Sequence, residues 1–253
     1  MAKIIAVVNQ KGGVGKTTSA VNLTAALSAA GSRALLCDFD PQGNATSGLG
    51  VSKKNTSNTV YDMLISEITP EKCVTHTPYG DVIASNSALA GATVELISLE
   101  KREYRLKKQL DKLRYAYDYI LIDCPPSLEL LTLNALCAAD SILIPVQCEY
   151  YALEGLSDLM TTLRGVKRRL NPTLEIFGVL LTMFDGRTNF SNQVAQEVRR
   201  HFPGKVFATA IPRNVRLAEA PSYGEPIFAY DHSSRGAAAY LDVAKEVMER
   251  GTL

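Results

Sequence analysis

Several features are scarce or missing in this 253-residue chain. It has no tryptophan, only 7% aromatic residues and no Cys-x-x-C pair. Its odd number of scattered cysteines argues against a disulfide framework or a zinc ribbon, and we expect reduced thiols in the core. These are Cys37, Cys73, Cys124, Cys137 and Cys148. No apolar run reaches about 18 residues and no signal-peptide pattern begins the chain, so we expect a cytosolic protein.

An excess of positive charge is also missing. The 27 Lys and Arg residues are balanced by 26 Asp and Glu residues, which gives a formal net charge of +1. A nucleic-acid-binding domain often has a pI above about 9, so any DNA-binding surface here must be a local basic patch. The composition is otherwise globular, and no linker-like stretch divides it. We therefore expect one domain over residues 1–253.

Apolar runs alternate with segments of helical periodicity along the chain. This alternation predicts an α/β fold, with a doubly wound, mostly parallel sheet covered by helices on both faces. The predicted strands are 3–9, 33–38, 119–122, 141–146, 176–182 and 206–211. The predicted helices are 17–30, 89–114, 128–138, 151–169, 190–201 and 234–250. Residues 51–91 are rich in Ser, Thr and Asn and give no clear pattern.

A glycine-rich loop between the first strand and the first helix is the sharpest local signal. Its residues are Lys11, Gly12, Gly13, Val14, Gly15, Lys16, Thr17 and Thr18. Backbone N–H groups of such a loop surround phosphate oxygens, and the following helix N-terminus favours an anion. Lys16 can reach the β- and γ-phosphates, and the Thr17 hydroxyl can bind Mg²⁺. Gln10 stands where the first glycine of the usual motif would be, and Lys11 follows it.

This loop resembles the deviant Walker A motif, K-G-G-x-G-K-[ST], of the ATPase class that includes ParA and MinD proteins. The resemblance extends over nearly the whole chain, and segments 9–18, 40–50, 149–155 and 211–216 are similar to the ParA/Soj type. In that family the signature lysine crosses an ATP-sandwiched homodimer, a role that the resemblance assigns to Lys11. Only ten residues precede the loop, so an N-terminal helix-turn-helix domain is not expected.

Acidic residues follow two of the predicted strands. Asp123 precedes Cys-Pro-Pro and looks like the Walker B aspartate of the same family. Asp40 looks like the switch aspartate that orients the attacking water, and Asp38 is assigned only indirect support of the metal. The resemblance thus places Thr17, Asp40 and Asp123 around Mg²⁺. Each aspartate could instead cap a helix.

The resemblance also implies where adenine would bind. It places Met183, Pro212 and Asn214 in loops after the late strands. An Asn side chain offers the donor and acceptor that an adenine edge needs. Asn214 could equally cap a helix over 215–220, and the sequence leaves both roles open.

Partition ATPases of this type bind duplex DNA without sequence preference, and the resemblance implies the same here. We expect Arg187, Arg213 and Arg216 to contact phosphates, with 167–169 and 199–200 as further basic clusters. Each cluster could simply be a solvated helix face. A symmetric dimer would double a local patch, so DNA affinity should depend on ATP. The implied partner is a ParB-like protein that stimulates slow turnover, and the ATP-bound form should associate with the nucleoid.

Rival functions use the same nucleotide chemistry. A MinD-like positioning ATPase would end in a basic amphipathic helix. Residues 241–253 instead mix acidic and basic side chains, which predicts a closing helix and argues against a membrane partner. An iron–sulfur relative would need cysteines in glycine loops, whereas Cys124, Cys137 and Cys148 fall inside predicted elements. A regulator of replication initiation cannot be separated from a partition ATPase by sequence.

Overall fold

The computed structural model of the chain describes residues 1–149 and 152–251. Within these ranges seven strands form one sheet in the order β3-β4-β2-β5-β1-β6-β7. The strands are β1 Lys3–Val7, β2 Ala34–Asp38, β3 Val74–Thr77, β4 Gly80–Ile83, β5 Tyr119–Asp123, β6 Ser141–Gln147 and β7 Glu175–Thr182. All pairings between named strands are parallel except β3 with β4. The predicted doubly wound, mostly parallel sheet is confirmed.

Helices cover both faces of this sheet. In the described part of the chain the α-helices are α1 Lys16–Ala29, α2 Asn44–Gly48, α3 Val60–Ile65, α4 Leu89–Ile97, α5 Arg105–Leu113, α6 Leu130–Ala138, α7 Ala152–Arg169, α8 Asn189–His201, α9 Val215–Glu219, α10 Ile227–Tyr230 and α11 Arg235–Gly251. Short 3-10 turns occupy Pro70–Cys73, Arg102–Tyr104 and Ala220–Tyr223. The central strands β1, β2 and β5 are almost wholly buried between the two helical layers. Their continuous apolar runs reflect burial on both faces.

Two regions differ from the expected elements. The helix expected over 89–114 is broken between α4 and α5, and Lys101 there has a left-handed backbone with φ 51°. A left-handed residue cannot continue an α-helix. The single helix expected over 89–114 is therefore wrong, because its periodicity came from two short helices. The stretch 51–91, which gave no pattern, contains α3 and the β3–β4 hairpin.

The strand expected over 206–211 is wrong. The chain runs beside β7 here but forms only isolated bridges, from Val206 to Val179 and from Pro212 to Phe184. Between the bridges, the Glu246 carboxylate accepts hydrogen bonds from the backbone N–H groups of Ala208 (2.9 Å) and Thr209 (2.8 Å). A side chain therefore takes the donors that a continuous ladder would use.

The carboxyl ends of the central strands meet at one edge of the sheet. Val7 is paired with Asp123, and Asp38 is paired with Asp123 from the other side. The loop that leaves β1 therefore emerges beside two strand-end carboxylates. Ligands of open α/β sheets bind at this edge.

The last helix closes the fold. α11 buries Val243, Ala244 and Val247, and the hydroxyl of buried Tyr240 lies 3.1 Å from that of Ser19 on α1. The expected packed closing helix is confirmed up to residue 251; the last two residues of the predicted tail lie outside the described part. No helix within residues 1–149 and 152–251 is long and apolar enough to cross a membrane. All five cysteine side chains are buried, as expected.

Candidate nucleotide-binding site

The glycine loop turns sharply into α1. Gly13 and Gly15 have positive φ angles of 75° and 90°, and Gly15 is the N-cap of the helix. Residues with a Cβ rarely adopt this backbone, so glycine is needed where the loop bends. The backbone N–H of Ser19 donates to the Gly15 carbonyl at 2.9 Å, which leaves the earlier N–H groups of the helix start directed at the loop. This geometry suits a phosphate.

Lys16 places a cation under the loop. Its side chain is largely buried, and its Nζ donates to the Lys11 carbonyl at 2.9 Å. Burial lowers the pKa of Lys16, while the nearby charges of Asp123 and Asp40 act in the opposite direction. A poorly solvated ammonium beside a phosphate loop interacts strongly with an anion that replaces its lost water.

The Lys11 side chain pairs with an acidic residue of its own chain. Its ammonium forms an ion pair with Glu149 of the same chain, in the segment that follows β6. The two tyrosines that continue this segment, at positions 150 and 151, lie outside the described residues. Lys11 would have to exchange Glu149 for phosphate oxygens in order to act across a dimer, and its crossing remains a prediction.

A cleft of about 450 Å³ opens over the loop. Its volume is that of an ordinary small-molecule site. Residues predicted from the sequence that line it are Gly12, Gly13, Gly15, Lys16, Thr17, Thr18, Asp40, Met183, Pro212 and Asn214. Among the described residues, three predicted site residues do not line the cleft: Lys11, Val14 and Asp123. Val14 nevertheless belongs to the phosphate loop. Lining residues that the sequence did not single out include Gln42, Asn44, Thr182 and Tyr240.

Asn214 caps a helix. Its side chain accepts a hydrogen bond from the backbone N–H of Arg216 at 2.9 Å, at the start of α9. The capping alternative is therefore confirmed. Because Asn214 also lines the cleft, its contact with adenine stays a prediction.

Asp123 is a buried carboxylate with few compensating contacts. It is fully buried, and neither of its oxygens accepts a hydrogen bond of ordinary geometry from the described residues. Burial raises its pKa well above the usual range, the charges of Asp38 and Asp40 add to this rise, and Thr17 and Lys16 oppose it. A buried carboxylate beside a hydroxyl is a suitable pair of ligands for a hard cation. The residues present therefore fit Mg²⁺.

Asp38 and Asp40 have different surroundings. Asp38 accepts hydrogen bonds from the backbone N–H and the hydroxyl of Thr46, both at 2.7 Å, and burial raises its pKa to about 6. These bonds fix α2 to the end of β2, so the structure gives Asp38 a positioning role. Asp40 lines the cleft, and its carboxylate accepts a hydrogen bond from the Gln42 N–H at 2.9 Å.

Residues from a later segment of the chain contact the loop that follows Asp40. Gly43 has φ 62°, and a Cβ there would lie 2.5 Å from Cδ of Lys53 and 2.7 Å from the Ser85 carbonyl oxygen. The Lys53 ammonium donates to the Gln42 carbonyl at 2.8 Å. The Gln42 carbonyl therefore accepts a hydrogen bond from Lys53, and the Gln42 N–H donates one to Asp40. Nothing in the unpatterned stretch 51–91 indicated this contact.

Thr182 anchors the phosphate loop to β7. Its hydroxyl is buried and donates to the Val14 carbonyl at 2.7 Å. A Thr182→Val variant would keep the shape but leave that buried carbonyl without a donor, at a cost of about 1–3 kcal/mol. We expect a lower free energy of unfolding by urea and a several-fold weaker affinity for ATP. An exposed control, Thr161→Val, should leave both unchanged; equal behaviour of the two variants would show that the anchor has no effect.

The predicted DNA-binding arginines divide into two places. Arg187 and Arg213 line a second cleft together. Arg187 also makes a two-point contact with Asp185, at 2.8 and 2.7 Å. Arg216 is not among the residues that line this cleft, and it pairs with Glu219 at 2.9 Å. The structure thus brings two of the three arginines together.

A glycine loop that joins a central parallel strand to a helix, with carboxylates at the adjoining strand ends, defines the class of P-loop nucleotide hydrolases. Comparisons with known proteins agree. A family model described as an AAA domain matches residues 2–176. The chain is 57% identical to the sporulation initiation inhibitor protein Soj of Bacillus subtilis, over 99% of this chain and all of that protein. It is 53% identical to the chromosome partitioning protein ParA of Myxococcus xanthus, over all of this chain and 90% of that one.

A solved structure agrees with the fold. Cobyrinic acid a,c-diamide synthase from Mycobacterium smegmatis, with bound ADP and magnesium, superposes with a TM-score of 0.87 at 36% identity, over 100% of this chain and 96% of that one. The chain belongs to the ParA/Soj family of ATPases and is an ATP-hydrolysing enzyme.

Proposed function

We propose that the chain acts as a Mg²⁺-dependent partition ATPase for a chromosome or plasmid, in which ATP switches a homodimer that binds duplex DNA. The name of the ParA relative supports the partition role, and the ADP and magnesium in the similar solved structure support the cofactors ATP and Mg²⁺. The observation that carries the switch is the second lysine of the phosphate loop, Lys11. The whole chain, residues 1–253, works as one ATPase domain.

Each part of the site has a separate task. Backbone N–H groups of the loop and the Lys16 ammonium bind the phosphates, and the cleft walls at Met183, Pro212 and Asn214 receive adenine. Thr17 and Asp123 would hold Mg²⁺, with Asp40 beside them. When bound, Mg²⁺ neutralises phosphate charge as it develops. Asp40, which lines the cleft, orients the attacking water.

Lys11 makes the dimer depend on ATP. Lys16 already serves the phosphates of its own chain, so the Lys11 ammonium can serve a triphosphate bound in a second copy. Moving there requires it to leave Glu149, and the γ-phosphate charge favours that exchange. ADP lacks that charge and should not promote closure.

Size-exclusion chromatography with light scattering tests this step. We expect the wild type to be a dimer with Mg²⁺ and a slowly hydrolysed ATP analogue and a monomer with ADP, whereas Lys11→Ala stays monomeric with both. A surface control, Lys107→Ala, should dimerise like the wild type. An oligomeric state that ignores the nucleotide, or a Lys11→Ala dimer, would contradict the switch.

DNA binding follows from dimerisation. The single chain carries a formal charge of only +1, but a two-fold axis repeats each arginine on the shared surface. Arg187, Arg213 and Arg216 would contact the backbone, so affinity should fall steeply with salt. Hydrolysis reverses closure and releases DNA, and the ATP-bound form therefore resides on the nucleoid. A ParB-like protein stimulates turnover by completing the water-positioning site.

A further inference from the structure

The segment that joins β2 to α2 contacts both the nucleotide cleft and a later part of the chain. Asp40, Gln42 and Asn44 line the cleft. Gly43, between them, lies against the side chain of Lys53. Lys53 is not among the described residues that line the cleft, so it contacts this segment from outside the nucleotide site.

The peptide group between Gln42 and Gly43 is held at both ends. Its carbonyl accepts a hydrogen bond from the Lys53 ammonium at 2.8 Å, and its N–H donates to the Asp40 carbonyl at 2.9 Å. The preceding N–H, that of Gln42, donates to the Asp40 carboxylate at 2.9 Å. A single turn of backbone therefore connects the Lys53 ammonium with the side chain of Asp40.

The orientation of this peptide group depends on contacts from other segments. Gly43 has φ 62°, and glycine adopts either sign of φ readily, so the turn alone does not fix the conformation. Two neighbours restrict it: a Cβ built on Gly43 would lie 2.5 Å from Cδ of Lys53 and 2.7 Å from the Ser85 carbonyl oxygen. Of these two, only Lys53 also hydrogen-bonds the peptide group that the Asp40 turn contains.

A gain in stability does not account for the Lys53 contact. The side chain is half-buried, and its hydrogen bond to the Gln42 carbonyl is exposed to water. Ordering a lysine stem costs conformational entropy, and an exposed hydrogen bond replaces one to water with little net gain. The effect of Lys53 on the Asp40 turn explains the contact better than a contribution to folding does.

We propose that Lys53 is a positioning residue for ATP hydrolysis, whose ammonium holds the Gln42–Gly43 peptide group and thereby directs the Asp40 carboxylate towards the cleft. The inference rests on the proposed role of Asp40 in orienting the attacking water, and it adds the residue that fixes this carboxylate in place. Because Lys53 is outside the described lining of the cleft, its loss should slow the chemical step and leave ATP binding unchanged.

The test is single-turnover hydrolysis of ATP with Mg²⁺ and saturating full-length protein, alongside equilibrium binding of a fluorescent ATP analogue. Lys53→Met keeps the length of the stem and removes the ammonium. We expect hydrolysis to slow about tenfold, less than the roughly 100-fold that a 1 Å misplacement can cost, with the affinity for the analogue unchanged. Lys53→Arg keeps a charged donor of similar reach and should restore most of the rate.

Lys54→Met is the matched control, because Lys54 is the exposed neighbouring lysine and should affect neither quantity. If Lys53→Met hydrolyses ATP as fast as this control while Asp40→Asn is inactive, the positioning role is overturned and the role of Asp40 stands. Normal turnover in Asp40→Asn would overturn both roles together. A loss of ATP affinity that parallels the loss of rate would show that Lys53 shapes the whole site, and would also overturn the positioning role. A slower chemical step with affinity retained, and restored by Lys53→Arg, supports it.

Discussion

Replacing Asp40 with Asn should abolish turnover while the protein still binds ATP. The amide has nearly the same shape, and its oxygen can keep the hydrogen bond from the Gln42 N–H that positions this side chain. It loses the negative charge that holds and polarises the attacking water. Groups in this role contribute about 100-fold or more to rate. We therefore expect turnover at or below one hundredth of wild type.

Although turnover should fall in Asp40→Asn, affinity for ATP should stay the same or rise. Asp40 is close enough to Asp123 and Lys16 to influence the pKa of both, so it lies within the electrostatic range of a bound polyphosphate. Removing one of several clustered carboxylates reduces their repulsion of ATP. Affinity for a fluorescent ATP analogue should match or exceed that of the wild type, and the ATP-bound dimer should persist longer.

Asp158→Asn provides the control, because Asp158 is exposed on α7 and should affect neither quantity. Normal turnover in Asp40→Asn would remove this residue from the mechanism. If the variant lost ATP affinity together with turnover, Asp40 would instead be needed to shape the loop. Single-turnover kinetics alongside equilibrium binding separate these results.

The features that the sequence could predict are those set by local pattern. The phosphate loop, its helix and the strand-end positions of Asp38 and Asp123 follow from glycine spacing and apolar runs, since parallel strands present their carboxyl ends at one edge. Asp40 was assigned by resemblance. The structure then places it in the cleft.

The features that the sequence could not predict depend on contacts between distant segments. Thr182 reaches Val14 across 168 positions, and Glu246 replaces a strand ladder near Ala208 from 38 positions away. Lys53 reaches the Asp40 loop from a stretch without periodicity. Such contacts leave no periodic signal, because a single polar side chain makes each of them.

Asp123 should show that a predicted metal ligand can destabilise the protein that carries it. Its carboxylate is fully buried, next to Asp38 and Asp40, and no ordinary hydrogen bond from a described residue compensates it. Each unit by which the folded pKa exceeds the unfolded value costs about 1.4 kcal/mol once the group is ionised. Asp123→Asn removes this cost, although it leaves an amide with few partners. We expect the nucleotide-free variant to be more stable, within the range of about 0.5–2 kcal/mol that is common for single stabilising substitutions.

The pH dependence identifies the cause. A folded pKa above the unfolded value stabilises the folded state at low pH, and this stability is lost as pH rises past the unfolded pKa of about 4 towards the folded one. The advantage of Asp123→Asn should therefore be small near pH 4 and larger at pH 7, measured by urea unfolding with a chelator present. Because the variant lacks a ligand for Mg²⁺, its ATP affinity should no longer respond to added Mg²⁺. Equal stability of the two proteins at pH 7 would show that contacts other than the metal compensate the Asp123 carboxylate. A gain in stability that grows with pH would show that the instability comes from the buried charge that Mg²⁺ requires.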